Sequence, residues 1–249
     1  MSGHSKWHSI KHKKGAADAK RGKLFTKLAR AITVAARDGG GSVDANPALG
    51  LAVQKARDAS MPKDNIERAI ARGTGAGAEA ENFDEVLYEG YGPGGVAVLV
   101  EALTDNRNRT SAELRHAFSK HGGNLGEPGS VAYLFEKRGV IVIDASQYGE
   151  DDLLPAIEAG ALDIGQDEDV LEVITEPSDL TAVRAALTDA GVEVQSADVT
   201  QRPTTTVELD EDAAGRLMRL IDALEDNDDV NEVFANFDVD AEVLERVAG

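Results

Sequence analysis

The stretch that decides the fold runs from residue 96 to residue 121 and reads VAVLVEALTDNRNRTSAELRHAFSKH. Its first part, Val96–Leu103, is rich in β-branched and aliphatic residues and predicts a strand. A helix is predicted from about Thr110 to His121, and the glycine-rich residues 122–126 form a turn after it. A strand followed directly by a helix indicates a mixed architecture for the centre of the chain.

Strands and helices continue to alternate downstream, which indicates small α+β sandwiches. The predicted strands are 131–135, 140–143, 170–175, 192–200, 205–209 and 230–236, and the predicted helices are about 151–161, 178–190 and 211–225. The first two strands are expected to pair across Lys137-Arg138-Gly139. Because this stretch is too long for one ferredoxin-like sandwich, we expect two. Residues 130–202 would be inserted into a central domain made of 78–129 and 203–249.

Upstream, residues 1–77 predict a helical domain. A first helix, from about Ala17 to Arg37, ends at a run of three glycines. A second begins at Asn46-Pro47, an N-cap residue followed by the proline that suits a first helical position. A third starts near Met61 and ends at Gly73. The expected fold class is therefore α+β, with a three-helix domain ahead of two small ferredoxin-like α/β sandwiches.

Charge is distributed very unevenly along the chain. Its 249 residues carry 26 Lys+Arg and 45 Asp+Glu, a formal net charge of −19. Residues 1–75 hold 15 Lys+Arg against 6 Asp+Glu, or +9, whereas residues 76–249 hold 11 against 39, or −28. A basic segment on an otherwise acidic protein favours contact with a phosphate-rich partner.

The cations of the first helix share one side of it. At about 100° per residue, Leu24, Leu28 and Ile32 form an apolar face, and the adjoining face is basic. We predict nucleic-acid contacts by this face and by the arm ahead of it, at Lys6, Trp7, Lys11, Lys13, Lys14, Lys20, Arg21, Lys23, Lys27 and Arg30. Two other interpretations stay open. The basic face could be solvated, or it could dock on the chain's own acidic domains.

Two further loops carry dense charge. Residues 104–110, TDNRNRT, open the helix that follows the first strand. Arg107 and Arg109 there could hold a phosphate or a carboxylate, or the loop could be an N-cap with intramolecular ion pairs. Residues 225–229, EDNDD, lack the glycine and the terminal glutamate of a calcium loop, so we interpret them as a solvated turn.

The sequence excludes several classes of protein. It contains no cysteine, which removes disulfides, thiol nucleophiles and cysteine-ligated metal sites. His4, His8 and His12 have metal-ligand spacing but lie among lysines, so no metal or other cofactor is expected. No catalytic constellation emerges, and an enzyme is not expected. With no apolar run of the ~20 residues that a membrane helix needs, we expect a cytoplasmic protein.

Several motifs resemble those of a known family. Residues 3–7 (GHSKW), 11–14 (KHKK) and 18–23 (DAKRGK) are similar to the N-terminal signature of the YebC/PmpR family. Residues 61–70 (MPKDNIERAI), 88–96 (YEGYGPGGV) and 104–110 resemble its third helix and its central motifs. One departure is Ala48-Leu49-Gly50, where the family pattern is expected to have arginines, and it leaves the arm and the first helix as the expected contact.

The resemblance implies a non-enzymatic protein of three domains around a cleft. It implies a DNA-binding transcriptional regulator, as bacterial members are generally described. The alternative is a translation factor that binds ribosomal RNA or the ribosome, because relatives in mitochondria are translational activators of cytochrome c oxidase. Nucleic acid is the expected partner, and the acidic domains could bind proteins. Neither a small-molecule substrate nor a membrane is expected.

Overall fold

The computed structural model describes residues 18–75, 83–167 and 170–247. The helices are α1 Asp18–Gly39, α2 Pro47–Asp58, α3 Lys63–Gly73, α4 Arg107–Lys120, α5 Leu154–Glu158, α6 Leu180–Asp189, α7 Glu211–Glu225 and α8 Ala241–Val247. The strands are β1 Asp84–Tyr91, β2 Ala97–Thr104, β3 Asn124–Leu125, β4 Phe135–Asp144, β5 Asp163–Asp167, β6 Val170–Thr175, β7 Val194–Pro203, β8 Val207–Glu208, β9 Val230–Ala235 and β10 Phe237–Asp238. The predicted α+β class, with helices ahead of antiparallel sheets, is confirmed.

The chain forms two compact units. One is Phe135–Arg202, and the other combines the described parts of residues 2–134 and 203–249. The three domain ranges expected from the sequence stay predictions. No helix in the described ranges is long and apolar enough to cross a membrane.

Helices α1, α2 and α3 form the predicted bundle. Leu28 and Ile32 of α1 are buried against Leu49 and Val53 of α2 and Ile66 of α3. Such i, i+4 pairs line one helix face, as the apolar spacing predicted. Asn46 is confirmed as the N-cap of α2, because its side-chain oxygen accepts a hydrogen bond from the backbone N–H of Leu49 at 3.1 Å.

The central sheet has the strand order β3-β1-β2-β9, and its assigned pairs are antiparallel. The β1 strand was not predicted, because its DEVLYEGY sequence includes an aspartate, two glutamates and a glycine that β-propensity disfavours. One of the glutamates, Glu89, is buried. The carboxylate of Glu89 accepts backbone N–H groups from Gly129, Val131 and Ala132 at 2.5 to 2.7 Å. The strand is therefore stabilised by a loop some 40 residues away.

The unit Phe135–Arg202 has the strand order β5-β6-β4-β7 and contains the two helices α5 and α6. Two expectations within it are wrong. Residues 135–144 form one strand rather than a strand pair, and Gly139, within that strand, lies opposite Thr175 at the end of the β4–β6 ladder. The predicted helix 151–161 is reduced to a 3₁₀ turn and the five residues of α5, which has Pro155 in its first turn and ends two residues before Gly160. The chain then continues into β5, which was not predicted.

The strand expected at 205–209 is only the two residues of β8, paired in parallel with Phe237 and Asp238 of β10. The strand begins later than predicted, because residues 204–206, just ahead of it, are exposed and polar. The helix predicted at 211–225 is confirmed as α7, with Asp210 as its N-cap.

Candidate nucleic-acid interface

The basic face of α1 lies against the end of α7. The Nζ of Lys27 donates to the backbone carbonyl of Glu225 at 2.5 Å, and the Nζ of Lys23 donates to that of Asp226 at 3.1 Å. These carbonyls belong to the last turn of α7 and its C-cap, where the helix dipole is negative and where α7 has no basic residue of its own. Two lysines of α1 thus supply the positive charge that this helix end lacks.

Arg30 continues the same contact one turn further along α1. Its Nη1 donates to the carbonyl of Asp228 at 2.6 Å and to Oδ1 of Asp229 at 3.0 Å. The guanidinium carbon also lies 5.0 Å from the centre of the Phe83 ring, within the range of a cation–π interaction. Phe83 packs with Val34 and Leu103, so charged and apolar contacts together hold α1 on the central sheet.

Asp229 is the best-connected carboxylate of this contact, and only 5% of its side chain is exposed. Besides Arg30, it accepts hydrogen bonds from Nη2 of Arg109 at 2.6 Å and from the hydroxyl of Thr110 at 2.8 Å. Burial alone would raise the pKa of Asp229, but the hydrogen bonds from Arg109 and Thr110 lower it overall, and Arg30 adds to them. The carboxylate is therefore held in its charged form.

The loop 104–110 caps α4 and pairs its own arginines. Asn106 is the N-cap, because its side chain accepts from the backbone N–H of Arg109 at 3.1 Å. Arg107 pairs with Asp84 at 2.8 Å. Arg109 bridges Asp105 and Asp229, and hydrogen bonds to these two carboxylates raise the pKa of its guanidinium. Of the two interpretations left open, the N-cap with intramolecular ion pairs is what the structure contains.

The interpretation of residues 225–229 as a solvated turn is wrong. This segment, which we call the acidic loop, receives the side chains of Lys23, Lys27 and Arg30. A related contact was also missed, the ion pair between Lys55 of α2 and Glu232 of β9. Opposite net charges on the two segments were the only sequence signal for either contact, and charge alone does not specify which residues meet.

The predicted contact residues thus fall into two groups. Lys23, Lys27, Arg30, Arg107 and Arg109 bind acidic or carbonyl oxygens of the chain itself. Arg21 is exposed and has no ion pair within the described ranges. The other predicted residues, Lys6, Trp7, Lys11, Lys13 and Lys14, lie outside the described residues, as do His4, His8 and His12 and the side chain of Lys20.

Comparison with known proteins gives matches along nearly the whole chain. A family model described as "TACO1/YebC protein N-terminal domain" matches residues 5–76, and one described as "TACO1/YebC second and third domain" matches residues 83–237. The chain belongs to the TACO1/YebC family. The resemblance found in the N-terminal and central motifs is therefore confirmed.

Members of this family with similar sequences include two full-length relatives, each named "Probable transcriptional regulatory protein". The one from Rubrobacter xylanophilus is 61% identical and the one from Persephonella marina is 55% identical, and both alignments cover 100% of each chain. A solved structure, the conserved hypothetical protein Aq1575 from Aquifex aeolicus, is 50% identical, with a TM-score of 0.80 over 90% of this chain and 92% of that one. The fold described above is thus shared with a solved relative.

Proposed function

We propose that this chain is a regulator of gene expression that binds nucleic acid, most simply DNA, through its basic N-terminal segment. The observation that carries the proposal is the division of that segment's cations into two groups. Lys23, Lys27 and Arg30 hold α1 on the acidic loop, whereas Arg21, two residues before Lys23, is exposed and has no ion pair among the described residues. Support comes from the names of the full-length relatives, which are called probable transcriptional regulatory proteins.

In this proposal α1 is held on the protein from Lys23 onward. The residues before Lys23 contact the nucleic acid. Arg21, with Lys20 and the arm residues Lys6, Lys11, Lys13 and Lys14, neutralises phosphates, and Trp7 stacks on a base. Lys23, Lys27 and Arg30 hold α1 on the central sheet. No catalytic step, cofactor or small-molecule substrate is part of the proposal. A cytoplasmic location and protein partners for the acidic domains stay predictions.

A translation factor that binds ribosomal RNA is the second candidate. The feature that favours it is the charge of −28 on residues 76–249, which would keep most of the protein away from nucleic acid and facing ribosomal proteins. Crosslinking in cells, followed by sequencing of the bound nucleic acid, separates the two. Discrete promoter DNA supports the transcriptional function, and ribosomal RNA at one site supports the translational one.

The contact itself is tested by salt dependence. The variant Lys13→Gln/Lys14→Gln/Lys20→Gln/Arg21→Gln removes four proposed phosphate contacts, so the log–log slope of affinity for duplex DNA against salt should shrink by about 3.6. A control with the exposed residues Lys137→Gln and Arg202→Gln, in the other compact unit, should keep the wild-type slope. An unchanged slope in the quadruple variant would show that this segment does not grip phosphate.

A further inference from the structure

The central sheet and its helices are acidic and carry few cations, of which some form ion pairs and others do not. Residues 83–134 and 203–247 contain seven Lys and Arg residues. Arg107, Arg109 and Arg246 form ion pairs with Asp84, Asp229 and Glu211. The remaining four have no ion pair with any described residue, and they are Arg115, Lys120, Arg216 and Arg219. All four are exposed, and all lie on α4 or α7.

Helices α4 and α7 pack side by side. Leu114 and Phe118 of α4 are buried in one core with Leu217 and Ile221 of α7. Arg109, in the first turn of α4, pairs with Asp229 beyond the end of α7, and Glu113, near the middle of α4, accepts a hydrogen bond at 2.7 Å from Asn227, closer to that end. The two helices therefore run antiparallel, and the end of α4 lies beside the middle of α7.

The cations lie on the sides of these helices that face away from the core. His116 and Lys120 are four residues apart on α4, and Arg216 and Arg219 are three apart on α7, so each pair shares one helix face. The buried residues Leu114, Phe118, Leu217 and Ile221 lie on the opposite faces. We call the group His116, Lys120, His121, Arg216 and Arg219 the basic ridge. Arg115 is exposed on a different side of α4.

The members of the ridge are close enough to affect one another. Burial lowers the pKa of His121, and the positive charges of Lys120, Arg219 and His116 lower it further. The like charges of the ridge thus repel one another, and an anion from outside would relieve that repulsion.

We propose that the basic ridge is a second binding surface for the sugar–phosphate backbone of a nucleic acid. The proposal rests on the proposed function for the class of partner, but it involves residues far along the chain from the N-terminal segment. Exposed, unpaired arginines and a lysine on rigid helices are suited to phosphate oxygens, which arginine can contact with two parallel hydrogen bonds. The ridge would then hold the nucleic acid against the folded body of the protein while the N-terminal arm grips it separately.

The test measures binding of a 20-base-pair DNA duplex, and of a single-stranded RNA of the same length, over a range of salt concentrations. Removing one phosphate-binding cation lowers the slope for duplex DNA by about 0.9, which corresponds to about eightfold in affinity at 0.1 M salt relative to 1 M. Lys120→Gln/Arg219→Gln should therefore reduce the slope by about 1.8 and weaken binding roughly 60-fold at 0.1 M. Lys137→Gln/Arg202→Gln is the matched control, with the same loss of charge at exposed positions of the other compact unit.

A second readout is the titration of His121 by NMR in the wild-type protein. Phosphates on the ridge favour the charged imidazole, so the pKa of His121 should rise when the duplex or the RNA is added. An unchanged slope in Lys120→Gln/Arg219→Gln, together with an unchanged His121 titration, overturns the proposal. Poly-glutamate is the competing anion. If it displaces the duplex as well as unlabelled DNA does, and raises the pKa of His121 by as much, the assignment to nucleic acid is overturned and an acidic protein partner is indicated.

The failure of this proposal can be distinguished from that of the proposed function. If the ridge variant loses slope and the four-residue variant at Lys13, Lys14, Lys20 and Arg21 does not, the ridge is a site and the N-terminal contact is wrong. The opposite result leaves the N-terminal contact and removes the ridge. A wild-type protein that binds neither probe overturns both.

Discussion

Replacing Asp229 by alanine should strongly destabilise the unit that contains the central sheet. Its carboxylate is 5% exposed and accepts charged hydrogen bonds from Arg30 at 3.0 Å and Arg109 at 2.6 Å. Such bonds contribute about 1.5–3 kcal/mol each, and breaking a fully buried ion pair costs about 3–5 kcal/mol. Arg109 is 44% exposed, so water replaces part of what it loses.

We therefore expect the free energy of unfolding to fall by about 3 kcal/mol in Asp229→Ala, near the lower end of the range for a buried pair. The hydroxyls of Thr104 and Thr110 add little to this loss, because they remain hydrogen-bonded to each other at 2.7 Å. For a folding unit of this size, 3 kcal/mol lowers Tm by roughly 6 to 12 °C.

Calorimetry gives the Tm, and hydrogen exchange of the β9 amides assigns the change to the correct unit. Asp226→Ala is the control, since its ion pair with Lys23 spans 3.5 Å and 71% of its side chain is exposed, so it should lose at most about 0.5 kcal/mol. A loss below about 1 kcal/mol in Asp229→Ala would refute the reasoning that this carboxylate joins α1 to the sheet.

The pH dependence of the same residue has a definite sign. Because the pKa of Asp229 is lowered in the folded state, its contribution is complete above the ordinary carboxyl pKa and is lost as pH falls through the lowered value. Wild-type stability should thus decline on acidification more steeply than that of Asp229→Asn. Parallel acid profiles would contradict the lowered pKa.

Two more substitutions test the fold. Burial alone would raise the pKa of Glu89, but three hydrogen bonds from backbone N–H groups lower it overall. Glu89→Gln should therefore lower the free energy of unfolding by about 2 kcal/mol near neutral pH and by progressively less in acid, whereas Glu85→Gln, at an exposed position, should change it little. An equal, pH-independent loss in both variants would contradict this. A Cβ on Gly73 would overlap the backbone carbonyl oxygen of Thr33 and lie 2.7 Å from the Cβ of Ala36, both in α1, so Gly73→Ala should lower the free energy of unfolding by about 1–3 kcal/mol in urea titrations. Gly22→Ala is the control, because its Cβ would lie in open space within α1, and it should be neutral or stabilising by about 1 kcal/mol. The reverse order would show that α1 and α3 are not in close contact.

Local sequence determined most of the helices. Asn46, Asn106 and Asp210 each place a short polar side chain where a helix begins, and the structure uses all three as N-caps. Capping depends on a few neighbouring residues, so it can be read without knowing the rest of the fold. The apolar spacing of α1 likewise determined that Leu28 and Ile32 are buried.

Tertiary structure decided the strands whose sequence is polar. The β1 strand contains Glu89, which becomes compatible with the sheet only because the loop 129–132 supplies three N–H donors. The β4 strand was divided at Gly139, yet the strand continues through this residue, which pairs with Thr175 at the end of the ladder with β6. In both cases the partner lies about 35 or more residues away, and strand propensity does not include that partner.

The sequence by itself determined that the N-terminal segment is basic and that the rest is acidic. Only the tertiary structure decided which charges meet. Lys23, Lys27 and Arg30 reach the acidic loop across about 200 residues of chain, because α1 packs on the central sheet beside the end of α7. Charge acts through space rather than along the sequence, so the composition could show an attraction between the two segments but not the contact that satisfies it.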